Sequence, residues 1–376
     1  MCEVVTQKLI CKIPCSSVHY DIEIGRGLLN CQVPYLKSLA SRFAIITDDN
    51  VARLYGELLR ECLSSSGLEA DLFSFLHGEQ NKTRATKERL ENQLFEKGLG
   101  RDTCVIALGG GVVTDLAGYL AATYFRGIPL VMIPTSLLGM VDASIGGKTG
   151  VNVLYGKNRL GCLYQPKKVI IDILTLKSLP KKELANGVVE MIKHGLIADG
   201  TFYEDLEKHS DPLLALDSAV LEKVIFKSCQ IKKDIVEQDE KEKGKRHLLN
   251  FGHTIGHALE CLTHYSLSHG EAVAIGLVVE SYLSVKLGAL HHSSFDRIKN
   301  RLLQYGLSLQ LPFRFPIQTL LDAMALDKKS LRGRPRFVVI DAIGSSLAYD
   351  SSYCTHVEES LIQHALQWMN DDLYCH

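Results

Sequence analysis

The stretch LNFGHTIGHALE, residues 249–260, sets His253 and His257 four apart, with Glu260 three further on. Helix positions four apart share one face, one turn from each other. Two imidazoles at that spacing can chelate one zinc ion, and on spacing alone they are the natural pair. One histidine on a metal and the other in proton transfer fits the same spacing. Two further groups could complete a site. His269, in SHGEAVAIG, opens an apolar helical pattern. Glu190 lies in NGVVEMIKHG, with Lys193 and His194 at the next i+3 and i+4 positions. A catalytic zinc takes three protein ligands and keeps one position open, and two histidines with a glutamate are an attested set.

Anion-binding chemistry is legible in three places. The apolar run CVIAL (104–108) leads into GGGVVTDLAG (109–118). Glycines between a strand and a helix let backbone N–H groups approach a pyrophosphate, although Thr114 departs from the G-x-G-x-x-G pattern. Residues 142–159, DASIGGKTGVNVLYGKNR, read as a flexible polar loop with Asp142, Lys148, Asn152, Lys157, Asn158 and Arg159 among four glycines. Such a segment suits a phosphate or carboxylate. Lys232, Lys233, Arg246, Lys328 and Lys329 extend the cationic series. Asp48, at the end of a strand pattern, could hold a ribose hydroxyl or simply cap a turn.

These residues need elements to position them. Strand patterns are expected at 18–25, 42–49, 70–78, 103–111, 129–136 and 168–173, with helical patterns at 51–67 and 85–98 between them. Such alternation argues for a parallel sheet covered by helices. From Leu179-Pro180 to about residue 326 helical periodicity dominates, and RFVVIDAIG (336–344) is a late extended piece. We therefore expect an α/β domain over 1–180 and a mostly helical domain over 181–376.

The composition excludes several classes. Lys and Arg number 42 against 43 Asp and Glu, a formal charge of −1, so no global basic field exists to hold nucleic acid or an anionic membrane. The apolar stretches are too short or too interrupted to span a bilayer. Eleven cysteines without a CxxC pair, and a first segment MCEVVTQKLI without an apolar signal core, point to a reducing cytoplasm.

Seven segments occur in order: GGGVVTDLAG, FRGIPLVMIPTSLLGMVDASIGGKTGVN, GKNRLGCLYQP, ELANGVVEMIKHG, DEKEKGKRHLLNFGHTIGHALE, HGEAVAIG and DKK. Together they resemble the 3-dehydroquinate synthases, sugar-phosphate cyclases of the shikimate pathway that makes aromatic amino acids. The resemblance runs from about Asp48 to about Gly344. It departs from the family at Ser136, where threonine is common, and at Cys162, where a small residue is usual.

The resemblance implies a Rossmann-like NAD-binding domain, a helical metal-binding domain and a catalytic zinc or cobalt. It implies conversion of 3-deoxy-D-arabino-heptulosonate 7-phosphate to 3-dehydroquinate and phosphate: transient oxidation by NAD, phosphate elimination, re-reduction and aldol closure. It makes Glu190, His253 and His269 the metal ligands and His257 an acid–base group. Lys148, Asn158, Lys193, Lys232, Arg246, Asn250 and Lys328 match a substrate shell, of which Lys148, Lys193, Arg246 and Asn250 also match catalytic positions. Arg126 matches an arginine that reaches a neighbouring subunit, implying a homodimer. On the cofactor side stand Asp48, Asn50, Glu79, Lys82, Gly110, Gly111, Asp115, Thr135, Ser136, Asp142, Lys148 and Lys157. The alternatives are another sugar-phosphate cyclase and, further off, a metal-dependent alcohol dehydrogenase.

Overall fold

The computed structural model of the chain describes residues 6–14, 18–30, 32–154, 156–264, 266–325, 334–349 and 352–374. Two compact units emerge: Met1–Pro180 with Leu221–Lys233, and Lys181–Val220 with Asp234–His376. The sequence pattern places one boundary at residue 180. By contacts, the stretch Leu221–Lys233, inside the helix Ser218–Gln238, groups with the first unit.

The first unit is built on a seven-stranded sheet of β1 (Thr6–Ile13), β2 (Val18–Gly25), β3 (Arg42–Asp48), β4 (Glu69–Phe75), β5 (Thr103–Gly109), β6 (Leu130–Pro134) and β9 (Lys168–Asp172). Its spatial order is β1-β2-β9-β6-β5-β3-β4. All pairings are parallel except β1 with β2. All seven residues of β5 and all five of β6 and of β9 are buried. A parallel strand covered on both faces reads as an unbroken apolar run, as TCVIALG does. The core on one face joins Phe43, Ile45, Ile106, Leu108, Val131 and Ile170 from four strands.

Two local readings are corrected. Strand β1 was not expected, yet Leu9, Cys11 and Ile13 alternate inward, the period of a half-buried strand. The segment read as a polar loop is largely an antiparallel hairpin of β7 (Lys148–Val153) and β8 (Gly156–Leu163). Its glycines concealed the alternation. They are required by close backbone approach: a Cβ on Gly161 would lie 1.9 Å from the Thr149 carbonyl oxygen.

The second unit is mostly helical, with helices at Lys181–Ala198, His253–Leu262, His269–Lys286, His292–Gln304, Ile317–Ala325 and Glu359–Asp372. The expected extended piece contains β10 (Ile340–Ala342), which pairs with the two-residue β11 (Ser345–Ser346). The helix His269–Lys286 is buried along nearly its whole length and packs against both the Glu190 helix (Lys181–Ala198) and the His253 helix (His253–Leu262). A helix apolar on every side belongs at the centre of a helical layer. Among the described residues, no helix is long and apolar enough to cross a membrane.

Candidate metal and cofactor sites

In the second unit, three helices bring three donors together. Glu190 is fully buried in mid-helix, His253 is the first residue of its helix, and His269 the first residue of another. Glu190 Oε1 lies 3.6 Å from His253 Nε2 and 3.5 Å from His269 Nε2. Donors at zinc bond lengths of about 2.05 Å in a tetrahedron stand roughly 3.3 Å apart, so the three atoms fit one ion.

The other nitrogen of each imidazole is held. His253 Nδ1 is 3.1 Å from the Phe251 carbonyl oxygen, and His269 Nδ1 is 3.4 Å from Glu260 Oε1. With Nδ1–H donating, Nε2 keeps its lone pair for a metal, as the partners of metal-bound histidines commonly arrange. The Lys193 ammonium donates to Glu190 Oε2, leaving Oε1 for the histidines. Burial opposes a charge on His269, yet Glu260 and Glu190 outweigh it and raise the imidazole to about 10. Two carboxylates around the imidazoles favour positive charge there, which a divalent cation supplies.

His257 is one turn from His253 and is half-buried, its ring centroid 5.2 Å from that of His253 and 6.4 Å from that of His269. Glu190, His253 and His269 form a group whose donor atoms converge, and His257 is not a member of it. The donors that converge are drawn from three helices, whereas spacing alone paired His253 with His257.

Two ties that sequence reading missed fix those helices. Asn186, one turn before Glu190, accepts from the Ser268 hydroxyl at 2.9 Å, and Ser268 caps the His269 helix in a capping box with Glu271. Gly252 sits in the left-handed region at φ 78° just before His253. A Cβ on Gly276, opposite it, would fall 1.9 Å from the Gly252 carbonyl oxygen.

Arg246 and Asn250 lie in the turn leading to His253. Arg246 Nη1 donates to the Glu240 carbonyl at 2.6 Å, and Asn250 Nδ2 to Glu242 Oε1 at 2.9 Å. Asp239 shapes this turn by accepting the amides of Lys243, Gly244 and Arg246 at 2.9, 2.7 and 3.0 Å. Burial would push its carboxyl up, but the three amides win and hold it below the usual carboxylate range. Its contribution to stability is therefore complete above the ordinary carboxylate value and is lost as pH falls through the lower folded-state value. Asp239→Asn should cost about 1–3 kcal/mol at neutral pH. Urea melts should show that gap closing once wild type is acidified below the carboxylate range.

In the first unit, most cofactor-side candidates gather at the carboxyl ends of parallel strands. The chain leaves β3 for β4 on one side and returns to β5 on the other, so β3 and β5 flank a switch point, the usual ligand crevice of such sheets. Asp48 ends β3, and Gly109 ends β5. The helix Gly111–Thr123 starts from Gly110 without a side-chain cap, leaving its first amides to an incoming anion. A Cβ on Gly110 would press to 3.1 Å from Ser136 Oγ. Thr135 N donates to the Gly109 carbonyl at 3.0 Å, tying the end of β6 to this turn. Asp48 Oδ1 accepts the amides of Asn50 and Val51, both at 3.0 Å, while Asn50 Oδ1 takes Arg53 at 2.8 Å.

Beyond β4, Lys82 is buried between Asp115, 3.1 Å away, and Glu79, 3.2 Å away. Asn152 Nδ2 adds 2.8 Å to Glu79, and Lys157 stands 3.9 Å off. Burial opposes the Lys82 charge, but Asp115 and Glu79 raise its pKa. Burial also opposes ionisation of Glu79, but Lys82, Lys157 and Asn152 hold it low. For Asp115, burial outweighs Lys82 and lifts the carboxyl above its usual range.

Lys232 donates to both the Asp142 carbonyl and Asp142 Oδ1. Half-buried Lys148 starts β7. Asn158, exposed on β8, is left-handed at φ 52°, its amide donating to Asn152 Oδ1 at 3.0 Å. Arg126 is exposed in a turn where Phe125 and Arg126 are both left-handed, at φ 48° and 66°. Lys328 lies outside the described residues.

Family models described as 3-dehydroquinate synthase N-terminal and C-terminal match residues 72–186 and 187–330. The chain is 43% identical over 328 residues to a 3-dehydroquinate synthase of Desulforamulus reducens, covering 86% of this chain and 91% of that one. A 2-epi-5-epi-valiolone synthase from Streptomyces hygroscopicus, solved with NAD+ and Zn2+ bound, superposes with a TM-score of 0.86 at 29% identity, over 94% of this chain and 98% of that one. A 2-deoxy-scyllo-inosose synthase, solved with carbaglucose-6-phosphate, NAD+ and Co2+, has the same fold: TM-score 0.87, 23% identity, 96% and 99% coverage.

Proposed function

The chain belongs to the 3-dehydroquinate synthase family, and from that premise we propose that it converts 3-deoxy-D-arabino-heptulosonate 7-phosphate to 3-dehydroquinate and phosphate. It is a lyase that uses NAD in its first unit and a zinc or cobalt ion in its second. The observation that carries the reading is the convergence of Glu190 Oε1, His253 Nε2 and His269 Nε2, each imidazole with its Nδ1 already held.

When bound, NAD takes and returns a hydride, and the metal polarises the hydroxyl that loses it. The chain's own residues do the rest. Lys193 donates to Glu190 Oε2 and so holds the carboxylate turned with Oε1 toward the histidines. His257 moves a proton, a role suited to a half-buried imidazole one turn from a metal ligand. Arg246 and Asn250, fixed by the turn before His253, are the second unit's candidates for the substrate's anionic and hydroxyl groups, as Lys328 is by resemblance, and Lys148, Asn158 and Lys232 are the first unit's. The glycine turn after β5 receives the pyrophosphate of NAD. A near-neutral protein thus binds a phosphate and a carboxylate through local cations.

A homodimer is supported by exposed Arg126 on its left-handed turn, and a cytoplasmic setting by eleven cysteines without a CxxC pair.

The test is a substrate panel on metal-stripped and zinc-restored protein. We expect phosphate release and dehydroquinate from the heptulosonate phosphate, only after restoration, with no accumulating NADH. Turnover confined to glucose 6-phosphate or sedoheptulose 7-phosphate would move the chain to another cyclase activity. Lasting NADH with a simple alcohol would make it a dehydrogenase.

A further inference from the structure

The His253 helix lacks a cap from its own segment: Gly252 stands at the N-cap and offers no side chain. Its open amides are taken from outside by Glu280, which is 1% exposed. Glu280 Oε2 accepts from Gly252 N at 2.9 Å, and Oε1 from Thr254 N at 3.1 Å and Ile255 N at 3.4 Å. An anion at a helix N-terminus meets both unsatisfied donors and a favourable dipole. Glu280 belongs to the helix that His269 opens. One carboxylate therefore ties the backbone on both sides of one proposed ligand to the helix that carries another.

We propose that Glu280 is a positioning residue of the metal centre. By gripping the first turn of the His253 helix, it sets where His253 Nε2 stands relative to His269 Nε2. His257, one turn further, follows the same helix. This rests on the ligand assignment proposed above. A cap serving only stability would lower the melting point and leave the metal's affinity and coordination untouched. A positioning cap moves both.

Glu280→Gln keeps size and one acceptor oxygen but places an N–H group against backbone amides. Chelator competition, at a temperature where circular dichroism reports folded protein, should show zinc bound about 10- to 100-fold more weakly, the range for groups that orient metal ligands. The visible spectrum of the cobalt-loaded variant should change. Leu302→Ala, a comparable loss of stability at a buried site on the helix His292–Gln304, should bind zinc as wild type does. A folded Glu280→Gln protein with wild-type affinity and cobalt spectrum overturns the proposal.

If that variant does not fold, Glu280→Asp, which pulls the helix end by one methylene, is judged by the same readouts. If neither folds, amide exchange in wild type decides. Metal must slow Gly252, Thr254 and Ile255 more than the rest of the unit, and equal exchange with and without metal overturns the proposal. Failure of the ligand assignment is distinguishable: wild type would bind no metal, or His253→Ala would bind as tightly.

Discussion

His253→Ala should abolish stoichiometric zinc binding, whereas His257→Ala should retain zinc and lose turnover by roughly 10²- to 10⁴-fold, the usual contribution of a positioned acid–base group. The two residues share a helix face and differ by one turn, so a general disturbance of the helix would affect both variants alike. The expected difference comes from where the nitrogens meet. His253 Nε2 faces Glu190 Oε1 at 3.6 Å with its Nδ1 held by Phe251. His257 falls outside the convergent donor group. Metal content by atomic emission and phosphate release by a coupled assay check both halves. Equal metal loss in two variants that keep the wild-type circular dichroism, with zinc retained in His269→Ala, would restore the helical-pair chelate.

The second large effect lies in the first unit. Lys82→Met should lower its stability by roughly 3–5 kcal/mol, the cost of leaving buried charges without their partner. Lys82 has only 4% of its side chain exposed, and its ammonium faces two carboxylates. Removing it leaves Asp115 and Glu79 close together without the cation that offsets their repulsion. Pairing Lys82→Met with Asp115→Leu should recover most of the loss, because Glu79 keeps Asn152 and Lys157. NAD affinity should fall in both proteins, since these groups stand beyond the strand ends proposed to hold the cofactor. Denaturant unfolding and cofactor titration separate the two quantities. A single variant as stable as wild type would mean that water reaches the pair freely.

Local periodicity made much of the fold readable. The buried parallel strands announced themselves as unbroken apolar runs such as TCVIALG. The central helix did so as EAVAIGLVV, with apolar residues on every side. What escaped depended on contacts distant in sequence. Spacing could pair His253 with His257 and offer Glu190 and His269 as further donors but could not choose among them, since no local rule joins three helices; the family resemblance made that choice. Glu260 and Glu280 were visible as acids inside apolar helices, an anomaly that should prompt a search for buried partners. The hairpin of β7 and β8 was hidden because glycine carries no side chain to alternate.

Gly276 carries a consequence for how much error the centre tolerates. A Cβ there would stand 1.9 Å from the Gly252 carbonyl oxygen, where ordinary contact begins at 3.4 Å. One methyl group would thus drive two ligand-bearing helices apart by roughly 1.5 Å, against a tolerance of about 0.2 Å in a metal–ligand bond. Two turns along the helix from His269, a missing atom acts as the gauge block against which the coordination distances are set.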